Sequence, residues 1–177
     1  HIDILTETAN EFSTFAKLYS EEPVLLDLDK TLKDQLMIFD NKENIHIEYI
    51  GMSGAMVSAP RPQLIRVFVN LITNAIQAIE IMQKEARDNE QEPVPGKIRI
   101  SLRYSTREGF YDIVFDDNGP GVSEENQGKL FTPNFTTKSS GTGLGLAICK
   151  HIIERHGGRI FVEDGNGCVM CFTIPLV

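Results

Sequence analysis

From Pro60 to about Glu85 the chain carries its longest helical pattern. Leu64, Val67, Phe68, Leu71, Ile72, Ala75, Ile76 and Ile79 fall on one broad apolar face. A face that wide must be buried against another layer. The neighbouring segments supply one. Ile45 to Ile50 alternates and reads as a strand, with Met56 to Ser58 as a short partner. Lys97 to Tyr104 and Phe110 to Phe115 read as strands joined through Arg107-Glu-Gly109, a hairpin signal. Arg159 to Val162 and Cys168 to Pro175 read as two more, joined across Asp164 to Gly167. Leu144 to His156 is a helix stopped by Gly157 and Gly158. The expected fold is α+β: a two-layer α/β sandwich with a mixed, mostly antiparallel sheet and helices on one face.

Two helices precede this layer. Ile2 to about Leu18 has Ile4, Leu5, Thr8, Phe12, Phe15 and Leu18 near helical spacing, and Ser20 to Pro23 ends it. Its apolar residues exceed what one stripe against a small domain requires, as in the second half of a helical hairpin. The division expected is 1–22 for that helix and 23–177 for the domain. Asp29 to Phe39 reads as a second helix with Asp29 as its N-cap.

Composition excludes some functions. The 177 residues carry a net charge of -8, against the basic stripe that a nucleic-acid face needs. An acidic protein can still hold phosphate on local backbone N–H groups. No apolar run reads as a membrane span of about 20 residues, and no signal peptide is visible. The start at His1, inside a helix, reads as a fragment of a longer protein. Cys168 and Cys171 have a CxxC spacing, but within a strand such positions point to opposite faces. They read as structural thiols of a reducing cytosol.

Four segments carry the chemistry. Asn70 and Asn74 share one face of the long helix. Their carboxamide oxygens are neutral hard ligands, suited to a Mg2+ that already carries phosphate oxygens. Asp117-Asn-Gly-Pro-Gly121 follows an apolar strand. Gly119 and Gly121 permit close backbone approach to a flat ligand. A partly shielded carboxylate at Asp117 could accept from an exocyclic amino group, which selects adenine over guanine; an Asp-rich turn reads the same way from the residues alone. Gly141-Thr142-Gly143-Leu144-Gly145 opens a helix and exposes N–H groups to an anion. It is not a Walker A loop, because no Lys-Ser/Thr follows the glycines. Lys138 stands three residues before it, where a phosphate contact and a solvated lysine are equally open. Phe131 and Phe135 lie in the long loop, either as pins of a lid or as simple anchors. Thr136 and Thr137 add hydroxyl donors.

In this order the segments resemble the asparagine, first glycine, phenylalanine and second glycine boxes of the histidine-kinase ATP-binding domain. That domain belongs to the Bergerat-fold superfamily shared with gyrase B, MutL and Hsp90. The resemblance runs from about Arg61 to the C-terminus. Glu11 to Lys17 is similar to the end of the second dimerisation helix in sensor kinases of the nitrogen-regulation type. The resemblance implies Asn74 as Mg2+ ligand with Asn70 assisting, and Asp117 on the adenine amino group. It implies Gly119 and Gly121 around the base, and Gly141, Gly143 and Gly145 around the phosphates with Lys138 reaching toward them. Many family members have Lys or Arg where this chain has Gln77, which puts one phosphate contact in doubt.

The phosphoacceptor pattern is absent: His1 is followed by Ile-Asp-Ile-Leu, and His46, His151 and His156 lie in the wrong domain. The expected activity is a protein-histidine kinase using ATP and Mg2+, with its acceptor His upstream. Its partners would be a response-regulator receiver domain and a second copy, with Ile4, Leu5, Phe12 and Phe15 as dimer contacts. Its location would be the cytoplasm, any membrane contact coming from upstream regions. Two alternatives stand beside it. An ATPase or serine kinase of the superfamily would carry a Glu where this chain has Asn70, and an amide cannot act as a base. A non-catalytic nucleotide-binding module would keep the boxes without the transfer.

Overall fold

A computed structural model describes residues 2–17, 21–136, 143 and 145–177. Helix α1 (Ile2–Lys17) comes first. Leu5 and Phe12 are exposed on it; the side chains of Ile4 and Phe15 lie outside the described residues. Strand β1 (Val24–Asp27) leads directly into α2 (Leu28–Leu36) and a single 3-10 turn at Met37–Phe39. The N-cap is Asp27, not Asp29. Asp27 is extended and its carboxylate accepts from the Lys30 N–H at 3.1 Å.

Asp29 instead turns inward. It is buried, and its two oxygens take Lys33 Nζ and the Tyr49 hydroxyl, each at 2.7 Å. Burial alone would raise its pKa. The hydrogen bonds from Lys33 and Tyr49 outweigh that and hold the carboxyl below its usual range. Burial and the Asp29 charge push the Tyr49 phenol well up. This buried contact ties α2 to β2 (Ile45–Ile50).

Strand β3 (Met56–Ala59) pairs antiparallel with β1, not with β2 as the sequence suggests. α3 (Arg61–Asp88) follows, then β4 (Gly96–Tyr104), β5 (Phe110–Asp117) and the short α4 (Glu124–Gln127). α5 (Gly145–Arg155), β6 (Ile160–Glu163) and β7 (Cys168–Pro175) complete the chain. The five-stranded sheet runs β2-β4-β5-β7-β6. β2 and β4 are parallel and the other three pairings antiparallel. α3 is the crossover that the parallel pair requires.

Strand alternation decides what the helices see. Ile98, Ile100 and Leu102 on β4 align with Asp117, Phe115 and Ile113 on β5. Those in turn align with Cys168, Met170 and Phe172 on β7. Asp117 and Cys168 therefore end the row that faces the helices. α3 lays the expected apolar face on this row. Its Phe68 ring stands 6.0 Å from Phe172, which stands 6.3 Å from Phe115. By length and hydropathy alone α3 would also meet the requirement for a membrane span, contrary to the sequence reading. In the fold its apolar face is core. Cys171 falls on the opposite face from Cys168, and all three cysteines are free thiols.

Candidate functional site

One cavity of about 880 Å3 lies between α3, the ends of β5 and β7, the loop after β5, and the start of α5. Period 2 along β5 turns Asp117 into it. The carboxylate is only 6% exposed and accepts from the Gly119 N–H at 2.9 Å. Burial raises its pKa, partly offset by hydrogen bonds from the Gly119 and Cys168 backbone. Such a buried acceptor suits a neutral donor such as an amino group.

Glycine is needed around it. A Cβ on Gly119 would stand 2.9 Å from the Asp117 carboxylate and 3.4 Å from Ala78. Gly121 has φ of 75° and lies against the Gly167 carbonyl, where a Cβ would stand at 2.9 Å. Asn118, between them, anchors the loop to β4. Its side chain accepts from the Lys97 N–H at 2.7 Å and donates to the Pro95 carbonyl at 3.0 Å.

The two asparagines of α3 also face the cavity. Asn74 Nδ2 donates to Asn70 Oδ1 at 3.2 Å, which fixes the two amides relative to each other. α5 begins against them: a Cβ on Gly145 would stand 2.5 Å from Asn70 Nδ2. Further along the same seam Gln63 and His156 are joined at 3.1 Å. Burial, then the nearby Arg155, lowers the His156 pKa.

Gly143 has φ of 73°, and its carbonyl accepts from the Asn134 N–H at 3.0 Å. This bond holds the second glycine segment to the loop that carries Phe131 and Phe135. Phe131 packs on the core, while Phe135 and Thr136 line the cavity. Gln77 lines it too. Thr137, Lys138, Gly141, Thr142 and Leu144 lie outside the described residues. The cavity thus brings together Asn70, Asn74, Gln77, Asp117, Gly121, Phe135, Gly143 and Gly145, with Gly119 packed just behind.

Arg66, Cys168 and Glu7 are among the lining residues that sequence reasoning missed. Arg66 lies one turn before Asn70, a spacing that the asparagine pair could have extended. Cys168 forms the floor beside Asp117, which only the strand register reveals. Glu7 of α1 also contributes.

A Mg2+ ion fits this donor set only with phosphate already bound. Among the described residues no group of three His, Cys, Asp or Glu could hold a metal ion. The carboxamides of Asn70 and Asn74 would complete a coordination sphere that phosphate begins.

Residues 59–177 match the family described as histidine kinase-, DNA gyrase B-, and HSP90-like ATPase. The signal transduction histidine-protein kinase AtoS of Escherichia coli is 41% identical over 121 residues, 68% of this chain and 17% of that protein. The nitrogen regulation protein NtrY of Azorhizobium caulinodans is 32% identical over 93% of this chain and 21% of its own length. The sensor protein TdiS of Thauera aromatica is 28% identical over 99% of this chain and 32% of its own length. The chain thus spans a third or less of these relatives. The solved catalytic domain of histidine kinase ThkA is similar with a TM-score of 0.73 and 33% identity, covering 88% of this chain and 96% of that one. Together with the cavity and its asparagine, aspartate and glycine walls, these matches place the chain in the histidine kinase-, gyrase B- and HSP90-like ATPase family.

Proposed function

We propose that this chain is the ATP-binding catalytic domain of a two-component sensor histidine kinase. The observation that carries the reading is one continuous cavity with a buried carboxylate at one end and the joined Asn70–Asn74 amides further along. Adenine would donate its amino group to Asp117. Asn74 and Asn70 would hold a phosphate-bound Mg2+, whose positive charge would offset that on the phosphates. Gly143 and Gly145 would let backbone approach the phosphates, with Lys138 reaching in from the loop. An imidazole nitrogen of an upstream His would form its bond to the γ-phosphorus as the bond to the ADP oxygen breaks. The imidazole proton would go to a neighbouring base or water. Positioning and electrostatics do most of such a transfer.

Helix α1 would then belong to a dimerisation hairpin, and the exposed Leu5 and Phe12 would meet another helix of that hairpin or a second copy. The phosphoryl group would pass on to a response-regulator receiver domain. A solved complex of ThkA with the response regulator TrrA, 29% identical to this chain, supports that partner class. The proposed location is the cytoplasm. Asn70 speaks against a hydrolase or serine kinase, since it stands where such an enzyme needs a carboxylate base.

The test is calorimetric titration with ATP, with and without Mg2+, followed by transfer from labelled ATP to a supplied acceptor helix from the same parent protein. Saturable Mg-dependent binding and label on the helix support the reading. Binding with label released only as free phosphate would instead point to an ATPase.

A further inference from the structure

The cavity residues of α3 follow one another in order. Gly119 touches Ala78 and lies 3.6 Å, by its would-be Cβ, from the Ile79 nitrogen, so the Asp117 end of the cavity lies at that level of the helix. Asn74 comes next, then Asn70, then Arg66. With the usual rise per residue, Arg66 lies about 6 Å beyond Asn70 and about 12 Å beyond Asn74.

Arg66 is half-buried and lines the cavity. Its Nε is buried and has no hydrogen-bond partner. A buried N–H without an acceptor is costly, and a ligand that supplies one removes the cost. The neighbouring Cys149 is no such ligand: burial pushes its thiol up to about 12, so it stays neutral. Among the described residues that line the cavity Arg66 is also the one cation. The other charged groups there, Glu7 and Asp117, are acidic.

We propose that Arg66 is the contact for the terminal phosphate of the bound nucleoside triphosphate. The assignment rests on the ATP reading above and fixes the direction of the ligand. With the base at Asp117 and the Mg-bound phosphates at Asn74 and Asn70, the terminal phosphate lies furthest along α3. A guanidinium offers several donors in one plane, which match phosphate oxygens. The Nε, buried and without an acceptor where the side chain now lies, gains one if the guanidinium turns to the phosphate.

The experiment compares Mg-ATP and Mg-ADP binding by calorimetry for the wild-type chain, Arg66→Met and Arg66→Lys. Methionine keeps an apolar stem of similar length and removes the donors. ATP affinity should fall about ten- to a hundred-fold in Arg66→Met, and ADP affinity less than about three-fold. Arg66→Lys should recover part of the difference, as a point charge without the fork. Equal loss of both nucleotides overturns the assignment, because that is what displacing Asn70 would do. So does no loss at all. Should Arg66→Met fail to fold by circular dichroism, Arg66→Lys decides: an unchanged ratio of ATP to ADP affinity overturns the assignment. A wild-type chain that binds neither nucleotide overturns the ATP reading itself. A wild type that binds both, beside a folded variant that discriminates neither, overturns the role of Arg66 alone.

Discussion

Gly145 and Asn70 meet across the seam between α3 and α5, so closely that any side chain at 145 would enter the space of the Asn70 amide. A Cβ there would stand 2.5 Å from Nδ2 and 3.0 Å from Oδ1. The absence of a side chain at the start of α5 therefore leaves room for an amide on another helix.

Gly145→Ala tests this. Gly145 is the first residue of α5, where the preference of a helix interior for alanine, about 1 kcal/mol, is only partly felt and is offset by the displaced Asn70 amide, so thermal stability should change little. Mg-ATP affinity should fall about ten-fold as Asn70 is displaced, read by calorimetry. Unchanged affinity would show that the observed position of Asn70 is not required.

Asp117→Asn should separate binding from stability. Loss of a charged acceptor costs about ten- to a hundred-fold in ATP affinity. The Asp117 pKa is raised in the fold. Its contribution to stability is therefore full below the unfolded value of about 3.9 and lost as pH rises through the folded value. At neutral pH the free variant should be at least as stable to urea as the wild type. Wild-type ATP affinity should itself drop as pH falls through the raised pKa, since the protonated carboxyl cannot accept from the amino group as well. A variant markedly less stable at pH 7 would count against this account.

Asn74→Ala should leave the fold intact and remove most of the Mg2+ dependence of ATP binding. The check is a pair of titrations with magnesium and with EDTA. An undiminished magnesium effect would sink Asn74 as the metal ligand.

Tyr49→Phe removes one of the two side-chain donors to the buried Asp29 carboxylate. The expected cost is about 1–3 kcal/mol at pH 7 by urea unfolding. The Asp29 pKa is lowered in the fold. Its contribution is thus present above about 3.9 and lost as pH falls through the folded value. The gap between wild type and variant should narrow in acid. A gap independent of pH would mean that the hydroxyl acts through packing.

Much of this was readable in the residues. The apolar spacing of α3 and the alternation of β4, β5 and β7 are local periodicities, and each survives in the fold with ends shifted by a few residues. Asn70 and Asn74 stood out because asparagine is a poor residue for a helix interior, whereas Asp117 read equally well as part of an ordinary turn until the segments were taken together. β1 did not stand out. Val24 and Leu25 are exposed and follow a proline, so nothing local marks a strand. Its pairing with β3 is a contact between distant segments, and so is the role of Asp29, whose partner Tyr49 lies twenty positions away. Arg66 is marked locally only by its spacing of four from Asn70; its burial comes from packing.

The sequence by itself determined most of the helices and strands, though not β1 or α4, and which side chains are suited to magnesium, an amino group and phosphate. These follow from backbone preference and donor chemistry, which are properties of short stretches. Only the tertiary structure decided where those groups meet. Strand register puts Asp117 beside Cys168 under α3. The α3–α5 seam presses Gly145 onto Asn70, and the Arg66 Nε is buried without a hydrogen-bond partner. Burial and close approach arise only when distant segments pack, and they turn suitable residues into one cavity.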